Sequence, residues 1–248
     1  DYARRRHAFG RLLAEQPLHL DTLADMQGET EACLHLCFHL VDLLGRRECG
    51  ELSELAEQEF RLLTSLTKLT TGRIAALCSR EGIEAFGGAG YVEDTGLPAL
   101  FRDSQVLPIW EGTTNVLSLD LLRALADVGG LEPLSALVRR CRAACSDPRL
   151  VEATVLAEST VRRLVEWYEQ RTAPAERDAL EAGARRLALT LGRAVALALL
   201  SEHAQWAIET RGDHRSADAA SRLAAKGFGR LFDPPLTSTR RLAMDEES

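Results

Sequence analysis

A glutamate between an aromatic residue and a glycine, Trp110-Glu111-Gly112-Thr113-Thr114-Asn115, stands just before a run of helix-forming residues. A carboxylate in that setting feels two opposed effects. Partial burial beside Trp110 raises its proton affinity, and the positive end of the following helix lowers it. The compromise suits a general base, which must accept a proton near neutrality. Gly112 removes a side chain and lets a flat substrate approach. Thr113, Thr114 and Asn115 add polar side chains and the unpaired N–H groups of a helix start, suited to a phosphate or a polar cofactor edge. Spacing alone equally allows Glu111 to be an ordinary acid at a helix start, where acids are favoured.

A second feature precedes it, the cluster Gly87-Gly88-Ala89-Gly90-Tyr91. It lacks the third glycine of a dinucleotide fingerprint and follows no strand, so it is not a Rossmann site. Two readings stay open: a tight turn between helices, or close backbone approach to a pyrophosphate. Cys33, His35, Cys37 and His39 resemble a metal run, but on a helix the pairs Cys33/Cys37 and His35/His39 point about 200° apart and cannot surround one ion. The two histidines could form a pair. Cys141 and Cys145 read as one packed helix face. Arg139, Arg140, Arg142, Arg162, Arg163, Arg185 and Arg186 could make a basic face, but glutamates interleave with them, which favours a solvated, salt-bridged surface.

The elements that must position these residues are helices. No stretch alternates with period two, and alanine, leucine, arginine and glutamate dominate, all strong helix formers. The expected fold is all-α. A first helix ends near His7, before Phe9-Gly10, and Pro17 opens a second that runs to Gly45. Ser53 caps a third, which continues to about Ala85. Residues 86–98 form a glycine-rich loop, a short helix covers 99–104, and another runs from Gly112 or Thr113 to Val128. Gly129-Gly130 marks the subdomain boundary. Four further helices span about 132–145, 149–171, 175–211 and 215–231, with Trp167 and Trp206 packed between them. The division is 1–128 for a helical bundle, 129–235 for an extension and 236–248 for a disordered tail.

Composition narrows the class. The chain has 248 residues, 46% of them hydrophobic, enough to bury a sizeable core. Its net charge is −7, with 12 basic against 20 acidic residues in 1–130 and 18 against 17 in 131–248. Neither half carries the basic excess usual in duplex binding. The apolar run from Leu187 to Leu200 is too short to span a bilayer, so a buried helix and no membrane are expected. Six cysteines without a disulfide-scaffold spacing point to an intracellular thiol state, cytoplasmic in a bacterium or mitochondrial in a eukaryote. No signal peptide is visible, and the abrupt start at Asp1 reads as the C-terminal part of a longer chain.

Four motifs in order resemble the C-terminal helical domain of the acyl-CoA dehydrogenases. They are Arg6 to Gly10 (Arg-x-x-Phe-Gly), the glycine turn 83–91, Arg102-Asp103, and the aromatic-Glu-Gly-Thr of 110–113. The resemblance covers residues 1–128. It implies FAD as cofactor and Glu111 as the base that removes the α-proton of an acyl-CoA thioester, while the flavin takes the β-hydrogen as hydride. Arg6, Phe9 and Gln16 match contacts to the FAD of a neighbouring subunit. Glu84, Gly87 and Gly88 match the turn over its pyrophosphate. Gly112, Thr113 and Asn115 match further FAD contacts, and Trp110 and Gly112 border the substrate. Shared sites of this kind imply a homodimer or homotetramer.

Three departures stand out. Glu84 occupies a position usually held by glutamine, Pro17 replaces a polar residue, and residues 131–248 extend past the usual end. Glu84, the Trp-Glu-Gly sequence, Leu119 to Arg123 and the extension look more like the AidB branch, alkylation-response flavoproteins with weak dehydrogenase activity and proposed DNA binding. That likeness leaves two alternatives beside dehydrogenation: a nucleic-acid-binding or stress-response role, or an assembly module. The domains that hold most of the flavin in this family are absent here, so the chain alone should be inactive.

Overall fold

The computed structural model describes residues 1–228 and 233–244. Its N-terminal segment departs from the expected helix end. A 3₁₀ turn over Tyr2–Arg4 leads into a small antiparallel hairpin, β1 (His7–Ala8) with β2 (Arg11–Leu12), in which His7 faces Leu12 and Ala8 faces Arg11. Phe9 (φ 52°) and Gly10 (φ 83°) form its turn. Two successive left-handed residues give the twist that a two-residue hairpin loop needs.

The rest is helical. Pro17 sits at the first position of α1 (Pro17–Glu48), where its missing N–H costs nothing. The Ser53 hydroxyl accepts from the Ala56 N–H and starts α2 (Glu54–Phe86). The glycine segment is more ordered than a loop: it makes one helical turn, α3 (Gly88–Tyr91), before α4 (Leu97–Ser104). The Thr113 side chain accepts from Val116 N–H and caps α5 (Thr114–Val128), which stops at Gly129 in the left-handed region. Beyond lie α6 (Glu132–Ala143), α7 (Pro148–Glu169), α8 (Arg177–Arg211) and α9 (Arg215–Lys226). A last helix, α10 (Leu236–Met244), follows Pro235 where a disordered tail was expected; it buries no residue. Residues 245–248 of that tail lie outside the described residues.

The central element is α8. It packs on α1, α2, α5, α6, α7 and α9, and one continuous apolar core includes Leu36, Leu66, Leu125, Leu137, Leu164 and Leu191. By length and composition its region could cross a membrane, but 78% of the apolar window is buried against the other helices. Two glycines let it approach closely. A Cβ at Gly183 would lie 2.2 Å from the Trp167 ring, and one at Gly192 would lie 2.0 Å from the Thr70 hydroxyl. Next to Gly192, an ion pair between buried Glu29 on α1 and Arg193 (2.5 Å) ties α8 to α1 as well.

Two further expectations need correction. Trp167 is packed in (7% exposed), whereas Trp206 is 44% exposed, tilted against His203 and covered by Arg211. His35 and His39 do not pair with each other. His35 stacks on His203 of α8 at 4.1 Å, and His39 contacts Glu59 of α2 at 2.5 Å. Burial, with His203 beside it, pushes His35 down to about 4. All six cysteines are free thiols. Burial pushes Cys33 up to about 12 and Cys145 up to about 11, which keeps both unreactive.

The Gly192 crossing yields a measurable consequence. Gly192→Ala should lower unfolding free energy by about 1–3 kcal/mol, the usual cost of overpacking. Adding Thr70→Ala removes the clashing hydroxyl and should restore part of the loss. Equal costs for single and double variants in urea titrations would show that the contact does not limit packing.

Candidate functional site

The predicted residues fall into two groups, carried at different heights of α2. Lys68 is near its middle and Glu84 near its end, so 16 residues, or about 24 Å along the axis, separate them.

The first group surrounds Glu111. Residues 105–112 form a turn-rich connection whose start is pressed against α2: a Cβ at Gly72 would come within 3.0 Å of the Leu107 carbonyl oxygen. Glu111 itself adopts φ 55°, a left-handed conformation that costs a non-glycine residue roughly 1–3 kcal/mol. The compensation comes from Lys68. Its ammonium Nζ donates to the carbonyl oxygens on both sides of the glutamate, Trp110 (2.5 Å) and Gly112 (2.7 Å). Gly112 continues at φ 114°, where only glycine is unstrained. Glu111 and Trp110 are exposed together with Ile109 and Val106, which form an apolar lip.

Beyond Gly112, α5 is fixed from below. The hydroxyl of Ser65 and the Arg61 guanidinium both donate to Asp120. The Ser65 donation, then Arg61, hold its carboxyl below the usual range despite partial burial. Thr113 is spent on capping, and Thr114 is buried. The Thr114 and Asn115 N–H groups have no partner among the described residues and point outward from the helix start. Asn115 Oδ1 accepts from Arg185 Nη1 at 2.9 Å, a contact from α8.

The second group surrounds the hairpin and the glycine turn. Tyr2 stacks on Phe86 (centroids 4.4 Å) and donates to its carbonyl, which brings the hairpin to the end of α2. Gln16 Nε2 donates to Ala8 O at 3.0 Å and braces the hairpin against α1. A cavity of about 400 Å³ lies between them, and Phe9, Gln16, His19, Glu84 and Ala85 line it. Phe9 is 99% exposed. Arg6 is exposed, and its backbone bonds to Tyr2 and Leu13. Glu84 is exposed and has no arginine partner among the described residues.

The three glycines of the turn have different jobs. Gly87 takes φ 60°, ψ −137°, open to glycine alone. A Cβ on Gly90 would strike the Ile83 carbonyl at 2.1 Å, so Gly90 is needed for packing. Nothing lies within 4 Å of where a Cβ on Gly88 would sit, which leaves its backbone open to a ligand. The sequence could not separate these roles.

No hydrogen bond or ring contact links the two groups among the described residues. The largest contribution that sequence reasoning missed is Lys68. Its one signal was rarity, since Lys68 and Lys226 are the only lysines. Among the described residues, no three His, Cys, Asp or Glu side chains are placed to hold a metal ion. A separate cavity between α6 and α7, also about 400 Å³, contains none of the predicted residues.

Both parts of the chain are similar to known proteins. Residues 1–126 match the family model for the acyl-CoA dehydrogenase C-terminal domain, and residues 134–226 match that of the acyl-CoA dehydrogenase 11 C-terminal domain-like family. Acyl-CoA dehydrogenase family member 11 of Caenorhabditis elegans is 39% identical over 211 residues, covering 82% of this chain and 34% of its own length. Its crystal structure in complex with C11-CoA superposes with a TM-score of 0.89 at 33% identity, over 99% of this chain and 43% of that one. AidB of Escherichia coli is 35% identical over 133 residues, 54% of this chain and 24% of its own length. An acyl-CoA dehydrogenase from Bacillus anthracis complexed with FAD has a TM-score of 0.67 over 98% of this chain and 47% of its own; at 19% identity that likeness concerns the fold. The chain thus spans about a third or less of the length of these curated relatives.

The role of Lys68 can be measured directly. In Lys68→Met the amide order parameters of Glu111 and Gly112 should drop from about 0.85 to below about 0.6 while α2 and α5 keep theirs. Unchanged values would remove Lys68 as the clamp on this loop.

Proposed function

The chain belongs to the acyl-CoA dehydrogenase family, and we propose that it is the C-terminal part of an FAD-dependent enzyme that oxidises an acyl-CoA thioester at its α and β carbons, with Glu111 as the base. The observation that carries this reading is the strained Glu111, held between two carbonyls that share one ammonium group. Such strain persists only where the surroundings impose it, and it is concentrated at functional sites.

The residues present fit the flavin cofactor. Gly88 offers open backbone, Gly87 a turn that other residues resist, and α5 two free N–H donors. Gly87, Gly88, Gln16, Phe9 and Arg6 would hold one end of FAD, and Gly112, Thr113 and Asn115 another. Bound FAD supplies the acceptor for the β-hydride. The chain's own contribution is proton removal. A Glu111 carboxylate oxygen takes the α-proton as the α C–H bond breaks, and its pair of electrons is left to form the new double bond. Lys68 keeps the carboxylate at one place by fixing the peptide on either side. Gly112 leaves room for the thioester, and the exposed Trp110 and Ile109 offer an apolar surface to the acyl chain beside the acid. Glu84 suits ribose hydroxyls better than a phosphate, because no cation accompanies it.

In the intact protein, mixed anaerobically with a panel of acyl-CoAs, Glu111→Gln should slow flavin bleaching by about 100-fold or more, the scale of a lost general base. Bleaching at the wild-type rate would refute the assignment.

Self-association is part of the same reading. On α1, Leu20, Leu34, Phe38 and Val41 form one exposed apolar stripe, with Phe38 63% exposed. A second copy would cover it and bring a neighbour's hairpin toward the flavin. Phe38→Glu should reduce the sedimentation mass of the chain toward that of a monomer; an unchanged mass would place the interface elsewhere. The nucleic-acid reading has less support. Arg139, Arg142, Arg171, Arg186 and Arg193 of the extension are paired with Glu132, Glu158, Asp233, again Asp233, and Glu29.

A further inference from the structure

Arg185 lies in the extension, beyond the residues that match the family's C-terminal domain, yet its guanidinium reaches Asn115 at the start of α5. The bond has a chemical consequence. A guanidinium only donates, so the amide must turn its oxygen toward Arg185. The Asn115 NH₂ is then fixed away from Arg185, as a donor beside the free N–H groups of Thr114 and Asn115.

The charge here is also unusual. Several arginines of the extension carry acidic partners, among them Arg149 with Asp147 and Arg222 with Asp25. Arg185 has none among the described residues, and neither does Arg73 of α2. Arg73 follows Gly72 on α2, the residue against which the Leu107 carbonyl is pressed, and its charge acts on Arg185. Burial and the neighbouring Arg73 charge push the proton affinity of Arg185 down. Two cations near each other without an acidic partner among the described residues, beside amide donors, form an arrangement that an anion would stabilise.

We infer that Arg185 and Arg73, with the amide of Asn115, form a binding edge for the phosphate or pyrophosphate of an adenosine-containing ligand, and that the extension thereby supplies a residue to the site on the bundle. A guanidinium fork matches the oxygens of a phosphate in pairs. Arg185 acts twice, as a cation facing the ligand and as the positioning residue that aims the Asn115 donor. The ligand's identity rests on the flavoprotein reading, because FAD and acyl-CoA share a pyrophosphate on adenosine. The edge itself does not depend on turnover.

The test is a calorimetric titration of the 248-residue chain at low salt with pyrophosphate, with ADP and with adenosine 3′,5′-bisphosphate. Wild-type chain should bind at least one of them, more weakly as salt rises. Preference for ADP assigns the edge to the flavin cofactor, and preference for the 3′-phosphorylated nucleotide assigns it to the thioester. Arg185→Gln keeps a donor for Asn115 but loses the charge, and should weaken binding about tenfold or more, as expected for a lost charge-assisted bond. Arg73→Gln should weaken it comparably, while Arg162→Gln, an exposed arginine on α7, should bind like the wild type. No binding by the wild type at about 1 mM ligand, or wild-type affinity in both Arg73→Gln and a folded Arg185→Gln, overturns the inference. Since the edge is read here by binding and the base above by bleaching, failure of either result is separable from failure of the other.

Discussion

One ammonium group ties α2 to the loop that carries Glu111. Lys68 meets two backbone carbonyls at once, and those carbonyls flank Glu111, the one acidic residue at positive φ among the described residues. A bond from a charged donor contributes about 1.5–3 kcal/mol, so even one of the two is comparable to the roughly 1–3 kcal/mol held in the left-handed backbone. The loop could relax into an ordinary helix start, with Glu111 as a decorative acid. Lys68 makes that relaxation unfavourable. The clamp works only because α2 is straight and fixed here, and that brings the rest of the molecule into the account.

α2 packs chiefly on α1 and α5, and the extension adds to its fixation through α8 and α6. At Gly192 the backbone of α8 lies against Thr70, two residues past Lys68, and the buried Glu29–Arg193 pair ties α8 to α1 beside it. Such a pair is costly to break once buried, so it sets the position of α8 even where it adds little net stability. From that position Arg185 reaches Asn115. Residues on either side of Gly129-Gly130 therefore share one core and one site. That glycine pair ends a helix cleanly without separating two independently packed bodies.

The helices were legible because their signals are local. Ser53 and Thr113 act as the caps their types predict, Pro17 sits where proline fits, and apolar spacing set the long spans to within a few residues. The hairpin was not legible, since two-residue strands are too short to show alternation and Phe9 is an uncommon residue at positive φ. Trp206 went astray because its ring is satisfied by Arg211 and His203 at the surface, a solution that composition does not distinguish from burial. Glu111 and the glycine turn were legible as motifs. Lys68 was not, because a single lysine on a helix looks solvated until the loop 42 residues later folds over it. Arg185, 70 residues from Asn115, was obscured for the same reason.

The separation of the two groups bears on how the site is completed. About 24 Å of helix lies between Lys68 and Glu84, and the chain builds no wall joining them. Each group is finished on the side that faces the bundle and open on the other. Phe9 projects into solvent from a hairpin that Gln16 and Tyr2 brace, although an exposed aromatic ring at a strained position would be removed readily if stability alone shaped the turn. A braced but uncovered ring fits a surface that meets something else. The exposed stripe on α1 gives a second copy a place to dock. In the self-association proposed above, the hairpin of one chain would serve the flavin of another, and the two incomplete surfaces of α2 would belong to two different sites.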